Sequence, residues 1–542
     1  MRTLLVVLLL ASAAAAAGTD RTGEVADLYR RLEGSGNPGA VAEAERHLLG
    51  TGKDRAFHAA RAAWEVLAAT KGGETASEDD RRRARRIYDL ACGACAASVD
   101  WTREVWKVAG LEVRLVRSGF LTQPLGDVVP AGLQPTKHFG RLVTTDGIGG
   151  AVVVVFPETE ARRKAWPYLP PVDFAYAVTA LLRFDGEAPR FELLDPLERP
   201  TAGLFGGTHP LRANFTAPFA AMAPEIGDVA EEGLNTPRLD LEALYVLEPP
   251  RDDKIPVLFV HGLKSSPRAW RKMALALRAD ETIRRNFQFV AYQYPTGYAL
   301  PLLNARLRKV MAEFWTWFDG RAPQARERGY VAIGHSMGGL QIRSLGVSSG
   351  SEVWDLLFSK PAGQVYLTGS LGDLVRRIAI FTPDPKLARL VFLATPHRGS
   401  PLATGAVGAI GSGMVHEDPI VRDLRAEILK RYGALLRPEV RRRLGEPRNS
   451  IDNLDPESEY LKALAGLPFR PGLPFHSIVG DMRGDRENPT GDGVVPYASA
   501  HLDGAASELI VKSGHSVQET AEAIAEVKRI LELHLAGAGE KK

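Results

Sequence analysis

A serine between closely spaced glycines is the residue of this chain best suited to carry out chemistry. Ser336 stands in the pentapeptide Gly334-His335-Ser336-Met337-Gly338, directly after the apolar run 331–333 and before a segment of helical pattern. A strand, a Gly-x-Ser-x-Gly turn and a helix form the nucleophile elbow, which exposes the serine hydroxyl at a helix N-terminus. The flanking glycines avoid clashes with the neighbouring strand and helix. The pattern predicts that Ser336 is a catalytic nucleophile.

A serine hydroxyl is a weak nucleophile and needs a general base, which a carboxylate in turn orients. After an elbow of this kind, the partners follow in the chain order Asp or Glu, then His. His515 follows the last predicted strand and opens the terminal helix, so it is the expected base. The other late histidines, His476, His501 and His534, fit worse because they fall within a strand, in a loop before the last strand and within the terminal helix.

Two aspartates compete for the role of the orienting acid. Asp492 lies in the Asp-Gly turn of the loop after the penultimate predicted strand, and two valines that follow it would anchor it beside the histidine. Asp481 follows the same strand directly, but its carboxylate would serve equally to cap the turn or to pair with Arg483. We favour Asp492, and Asp481 stays the alternative.

The oxyanion that forms during acyl transfer needs two backbone N–H groups aimed at the developing charge. One is expected from Met337, the residue after the nucleophile, and the other from Leu263, in the loop after the strand 255–260. Gly262 would allow the backbone to approach closely. His261 precedes it, and we interpret this histidine as a residue that orients the loop by hydrogen bonding, not as a base.

Taken together, these residues resemble the bacterial lipase/esterase group of the α/β-hydrolase superfamily. The resemblance covers about 255–540 and rests on order and spacing. The matching segments are 260–263 with Ser265, Ser266, Pro267 and Trp270, then 334–339, Ala394-Thr395-Pro396-His397-Arg398-Gly399-Ser400, 492–496 and 514–516.

The resemblance implies a triad of Ser336, Asp492 and His515, with Leu263 and Met337 as oxyanion donors and with no cofactor. One position departs from the secreted lipases of the Pseudomonas and Burkholderia type, which carry a calcium-binding aspartate two residues after the triad histidine. Here that position is Val517, so that calcium site is not supported. Asp481 and Asp485 could still hold a cation, but we expect no metal.

Apolar strands alternate with amphipathic helices from residue 251 to 542, which predicts an α/β-hydrolase domain built on a mostly parallel, doubly wound sheet. A helical region at 18–110 and a β-rich module at 111–250 are expected to precede it. Two inserts, 349–386 and 405–474, interrupt the hydrolase domain. An apolar stripe on the second insert predicts either a lid that opens at lipid surfaces or a helix packed on the core.

Composition and the first residues bear on partners and location. A short cationic start, an apolar run and small residues at 1–17 predict a signal peptide, and therefore a periplasmic or extracellular protein. An uncleaved N-terminal anchor is the alternative. The 68 basic and 65 acidic residues are nearly balanced, which argues against a nucleic-acid binder. Cys92 and Cys95 fit either a disulfide or two small buried residues at a close helix contact.

We therefore expect an exported serine hydrolase that acts on an acyl ester or lipid substrate. An acyltransferase or an amidase would use the same triad, and the sequence does not decide among the three. An alternative of another class is an inactive envelope protein that has kept the hydrolase fold for binding. The sequence patterns do not identify the natural acyl chain or any protein partner.

Overall fold

A computed structural model describes residues 52–68, 78–136, 142–222, 242–320, 325–401, 419–446 and 454–539. The predicted signal peptide at 1–17 lies outside these residues. Two compact units divide the chain, Met1–Ile226 and Gly227–Lys542. No helix among the described residues has the length and apolar character needed to cross a membrane.

The first unit combines helices with a mixed six-stranded sheet. Its elements are α1 (Lys53–Ala68), α2 (Glu78–Ala97), β1 (Val105–Val108), β2 (Leu111–Arg117), β3 (Val128–Pro130), β4 (Thr144–Thr145), β5 (Gly150–Phe156), α3 (Glu160–Ala165), β6 (Phe174–Arg183), β7 (Arg190–Leu194), β8 (Thr201–Leu204), β9 (Gly207–Pro210) and β10 (Ala213–Asn214). The sheet has the order β1-β2-β7-β6-β5-β3, and β8-β9 and β10-β4 form small two-stranded sheets.

Helix α2 lies close against strand β5 in this unit. A Cβ atom placed on Gly150 would lie 2.2 Å from the backbone nitrogen of Gly93, so only glycine permits this approach. Cys92 and Cys95 flank this contact as free, buried thiols. Of the two interpretations offered by the sequence, the structure therefore has the pair of small buried residues at a close helix contact.

The second unit is built on a seven-stranded sheet. Its strands are β11 (Ala243–Val246), β12 (Ile255–Val260), β13 (Phe287–Gln293), β14 (Tyr330–His335), β15 (Leu387–Leu393), β16 (Phe475–Asp481) and β17 (Ser507–Lys512). The order is β11-β13-β12-β14-β15-β16-β17. Strand β11 is antiparallel to β13, and all other pairs are parallel. The prediction of a mostly parallel sheet is confirmed.

The helices of the second unit connect its strands and form part of its two inserts. They are α4 (Arg271–Ala279), α5 (Glu281–Asn286), α6 (Leu300–Asp319), α7 (Ala325–Arg328), α8 (Met337–Gly346), α9 (Glu352–Leu357), α10 (Gly369–Ala379), α11 (Pro419–Tyr432), α12 (Pro438–Gly445), α13 (Glu459–Gly466), α14 (Tyr497–Ala500) and α15 (Ala521–Gly539). Alternate residues of the strands, such as Val257, Phe259 and Ile333, pack against α4, α5 and α15 in one buried cluster. Helix α8 contacts β12, β14, β15 and α6.

Strand β11 joins this sheet although it precedes the border that we predicted at 250. Glu248 and Lys254, in the connection from β11 to β12, form a buried group of three charges with Arg278 of α4. The Nζ atom of Lys254 lies 3.2 Å from each carboxylate oxygen of Glu248, and Nη2 of Arg278 lies 3.0 Å from one of them. All three side chains are buried, so each depends on the others for its stabilisation.

The two predicted inserts pack against each other through a hydrophobic cluster of their own. Ile428 and Tyr432 of the predicted apolar stripe are buried there against residues of the first insert, including Trp354, Phe358 and Val375. Residues 405–418 and 447–453 of the second insert lie outside the described residues. In the described part, the stripe packs against the first insert and not against the cluster that joins the sheet to α4, α5 and α15.

Candidate active site

Ser336 connects β14 to α8 at the carboxyl edge of the sheet. Its φ of 54° and ψ of −128° lie in a region that residues with a side chain rarely adopt, so the turn is strained. The Ser336 N–H donates to the carbonyl of Leu393, at the end of the neighbouring strand β15, over 2.9 Å. A Cβ atom on Gly338 would lie 2.3 Å from the carbonyl oxygen of Val260, so this glycine lets α8 begin against the end of β12.

The structure brings Ser336, His515 and Asp492 into one hydrogen-bonded chain. His515 lies in the loop between β17 and the C-terminal helical segment, and its Nε2 is 2.9 Å from the Ser336 Oγ. Its Nδ1 is 2.8 Å from Oδ2 of Asp492. A carboxylate only accepts hydrogen bonds, so the Nδ1 atom carries the proton and Nε2 offers its lone pair to the serine hydroxyl. This arrangement allows His515 to act as a general base toward Ser336.

The second oxygen of Asp492 fixes the orientation of its carboxylate. Oδ1 accepts hydrogen bonds from the backbone N–H groups of Val494 and Val495, over 2.8 and 2.7 Å. The two valines that follow the Asp-Gly turn therefore hold the aspartate through their backbone. Asp492 is buried, and its Oδ2 is left to face His515.

Asp481, the alternative acid, has a different role in the structure. Its Oδ1 accepts from the N–H groups of Thr490 and Gly491 and from the Thr490 hydroxyl, and Oδ2 accepts from the N–H of Asp485. Burial alone would raise the pKa of this carboxyl, but these hydrogen bonds outweigh burial and lower the pKa. Asp481 thus organises the loop that leads to Asp492, and the structure does not bring it to His515.

The loop after β12 carries His261 and the expected oxyanion donor Leu263. The ring of His261 stacks on Tyr294 with centroids 4.3 Å apart, and the Tyr294 hydroxyl donates to the His261 carbonyl over 2.6 Å. The His261 Nδ1–H donates to the Gly262 carbonyl over 3.0 Å. Burial lowers the pKa of His261 to about 4, so the ring is neutral and orients the loop.

Both expected oxyanion donors lie next to the elbow. A Cβ atom on Gly262 would be 2.9 Å from Cβ of Ser336, which places Leu263 one residue from this contact. Met337 begins α8 directly after the serine. Within the described ranges, neither of these two N–H groups donates to another residue, so both remain available for an oxygen atom of a substrate.

Several residues that brace the site are not predicted by the sequence. His335 Nε2 contacts the carbonyl oxygen of His515 over 2.8 Å. Ser400 of the Thr-Pro-His-Arg-Gly-Ser segment donates to the carbonyl of Val494, and Ser499 donates to that of Gly399 over 2.6 Å. These partners are far apart in the sequence, so no local pattern pairs them. The signal in the sequence is His335 itself, because a histidine at the end of an apolar strand needs a hydrogen-bond partner.

The sequence matches the model of one known protein family. A model of the Alpha/beta hydrolase family matches residues 257–527, half of this 542-residue chain. Among curated proteins, no relative matches the sequence.

Several solved structures are similar to this chain. The mature form of lipase BlEst2 from Bacillus licheniformis aligns with 53% of this chain and 97% of its own, at 16% identity and a TM-score of 0.31. The propeptide form of the same lipase aligns at 17% identity and a TM-score of 0.31, and the alignment covers 53% of each chain. A Listeria innocua protein, the lin2722 product, aligns with 52% of this chain and 94% of its own, at 16% identity and a TM-score of 0.26.

The family match agrees with the strand order and the elbow, and it confirms the α/β-hydrolase fold that the sequence predicted. It begins in β12 and ends in α15, so β11 is the only strand of the sheet in the described residues that it leaves out. The match also includes both loops that carry Asp492 and His515. The chain therefore belongs to the alpha/beta hydrolase family, and its second unit is a hydrolase domain.

Proposed function

We propose that this protein is an exported serine hydrolase that cleaves acyl esters through Ser336, His515 and Asp492. The observation that carries the proposal is the continuous chain of hydrogen bonds from the Ser336 hydroxyl through His515 to Asp492, at 2.9 and 2.8 Å. A strained backbone at the nucleophile and two unengaged N–H groups beside it support the same chemistry.

The first half of the reaction forms an acyl-enzyme. His515 Nε2 takes the proton of the Ser336 hydroxyl while Oγ attacks the ester carbonyl carbon, and the charge develops on the carbonyl oxygen. The N–H groups of Leu263 and Met337 then stabilise this oxyanion. As the tetrahedral intermediate collapses, the protonated His515 gives its proton to the departing alkoxide, which leaves as an alcohol.

The second half releases the acyl group. Water takes the place of the alcohol, His515 Nε2 removes its proton, and the resulting hydroxide attacks the acyl carbon. Asp492 keeps the imidazole in one orientation in both halves and stabilises its positive charge. The proton then returns to Ser336, and a carboxylic acid leaves the site.

The proposed substrates are acyl esters, including lipid esters, and the proposed location is the periplasm or the exterior of the cell. Location rests on the pattern of residues 1–17. Mass spectrometry of the protein from its native host tests it. A mature chain that begins near residue 18 is expected, and an intact Met1 in the fractionated protein would contradict signal cleavage.

A fluorophosphonate probe tests the nucleophile, because it reacts with a serine that a neighbouring base activates. Labelling is expected for the full chain and for the control Ser359→Ala, which changes an exposed serine of the same unit. Labelling should be absent in Ser336→Ala. Equal labelling of Ser336→Ala, or no labelling of the unmodified chain, would rule out the proposed nucleophile.

A second experiment addresses the bond that is cleaved. Acyl esters of increasing chain length, matched anilides and phospholipids are compared in the presence and absence of an added alcohol. Ester hydrolysis that depends on Ser336 is the expected result. Faster turnover of anilides would identify an amidase, and ester products formed from the added alcohol in excess of free acid would identify an acyltransferase.

A further inference from the structure

His335, the residue before the nucleophile, has no part in the chemistry described so far. It is the last residue of β14, a strand that is buried throughout. Its own side chain is buried as well, at 7% exposure. A polar ring in such a place requires a hydrogen-bond partner to offset the loss of its hydration.

That partner belongs to the general base. The Nε2 atom of His335 lies 2.8 Å from the backbone carbonyl oxygen of His515, although 180 residues separate the two in the chain. A carbonyl oxygen only accepts, so Nε2 of His335 carries the proton and donates it. The two rings also lie near each other, with centroids 4.9 Å apart.

The opposite edge of the His335 ring faces the loop after β12. A Cβ atom built on Gly262 would lie 3.2 Å from Nδ1 of His335, so the ring lies close to this glycine. Burial, followed by the nearby His515, lowers the pKa of His335 to about 3, which keeps the ring neutral. Because the ring is neutral, its single proton stays on Nε2 of His335 over the pH range in which enzymes normally work.

We propose that His335 is a positioning residue that holds the backbone of His515 at a fixed distance from Ser336. The inference rests on the proposed function, because it assigns a role to the loop that presents the base. His335 is bonded covalently to the nucleophile and hydrogen-bonded to the base. One side chain therefore couples β14 to the loop after β17, although β15 and β16 lie between these two strands in the sheet.

The effect of losing this bond follows from the geometry of proton transfer. His515 lies in the loop after β17, and its ring has to reach Asp492 on one side and Ser336 on the other. Displacement of a catalytic group by about 1 Å costs on the order of 100-fold in rate. Loss of the His335 donor frees the carbonyl but removes no catalytic group, so we expect kcat to fall by about 10- to 100-fold while KM is unchanged.

Two substitutions separate the hydrogen bond from the packing. His335→Phe keeps a ring of similar shape and has no donor. His335→Gln has a donor nitrogen that is the same number of bonds from Cβ as Nε2 of histidine, so it can reach the carbonyl. The matched control is His534→Phe, which changes a buried histidine of helix α15. We expect kcat to fall in His335→Phe, to return largely in His335→Gln and to stay unchanged in His534→Phe.

A spectroscopic measurement on the same variants does not depend on turnover. The proton between His515 Nδ1 and Asp492 Oδ2 should give a low-field resonance in the proton NMR spectrum of the full chain. It should broaden or shift in His335→Phe and recover in His335→Gln. His335→Asn, whose amide is too short to reach the carbonyl, replaces His335→Phe if that variant fails to fold.

The outcomes distinguish the two proposals. A His335→Phe variant with the kcat and resonance of the unmodified chain would overturn the positioning role, as would a His335→Gln variant as impaired as His335→Phe. Ester turnover that persists in Ser336→Ala would overturn the proposed function instead. In that case the resonance of the His335 variants still decides whether the side chain positions His515.

Discussion

Replacement of Asp492 by asparagine should change the protonated nitrogen of His515 without changing the shape of the site. Oδ1 of Asp492 accepts from two backbone N–H groups, so an asparagine must turn its carbonyl oxygen toward them and its NH2 group toward His515. An NH2 group only donates, so Nδ1 of His515 would lose its proton and Nε2 would gain it. A protonated Nε2 cannot take the proton of Ser336.

The size of the effect follows from this exchange of tautomers. In a serine protease of another fold, the corresponding change lowers kcat by about 10⁴-fold, which is about 5 kcal/mol of transition-state stabilisation. The two backbone hydrogen bonds lock the asparagine in the unfavourable orientation, so we expect a loss of the same order here. The folded state should lose little stability, because the side chain keeps its size and both of these bonds.

The assay is kcat/KM for a short soluble acyl ester, measured with the unfolding midpoint in urea for each variant. Asp481→Asn is the matched control, since Asp481 accepts four hydrogen bonds in the neighbouring loop. This variant should lose about 1–3 kcal/mol of stability and much less activity. An Asp492→Asn variant that keeps most of its activity would refute the proposed exchange of tautomers, as would an Asp481→Asn variant that loses as much activity with its stability intact.

Three further predictions follow from the described contacts. Ser336→Gly should unfold with a free energy about 1 kcal/mol above that of the equally inactive Ser336→Ala, because glycine relieves the positive φ, and urea denaturation measures the difference. Glu248→Gln should lose about 3–5 kcal/mol in the same assay, because the negative charge that faces the buried Lys254 and Arg278 is removed. The side chain of His501 has its pKa raised, first by its hydrogen bond to Glu508 and then by Asp503. Its contribution to stability should be full below the unfolded pKa of about 6.5 and be lost as the pH rises through the raised folded value, so the difference in Tm between the unmodified chain and His501→Gln should shrink with rising pH.

A control variant or a contradicting outcome tests each of these predictions. Glu281→Gln breaks an exposed ion pair with Arg285 and should lower the free energy of unfolding by at most about 1 kcal/mol. If Glu248→Gln lowers it by no more than this control does, burial does not strengthen the group around Glu248. A lower stability of Ser336→Gly than of Ser336→Ala would show that the elbow stores no strain. A Tm difference for His501→Gln that does not vary between pH 5 and 8 would contradict the linkage.

The sequence predicts the second unit well because its signals are local. Each parallel strand is an apolar run bounded by turn residues, and Ser336, Asp492 and His515 each follow such a run in a short motif. The carboxyl ends of parallel strands share one edge of the sheet, so three distant motifs could be expected at one place. The structure brings their side chains within hydrogen-bonding distance, and their catalytic roles stay a prediction.

The features that the sequence does not predict depend on contacts between distant segments. Strand β11 joins the sheet by antiparallel pairing with β13, and nothing in its own residues distinguishes it from a strand of the preceding module. The role of His335 depends on a carbonyl 180 residues away. Likewise, the apolar stripe on α11 indicates that one face is buried, but it cannot say that Trp354 and Phe358 of the other insert cover it.

The order of the strands has a consequence for folding kinetics. Ser336 and His515 are 179 residues apart and meet only when β15 and β16 have been inserted between β14 and β17. Parallel pairing over such separations is slow, because the entropy cost of closing the loop comes before the stabilising contacts form. Labelling of Ser336 by a fluorophosphonate during refolding would therefore report when the sheet is complete. We expect the reactivity of Ser336 to return later than the helical circular dichroism signal.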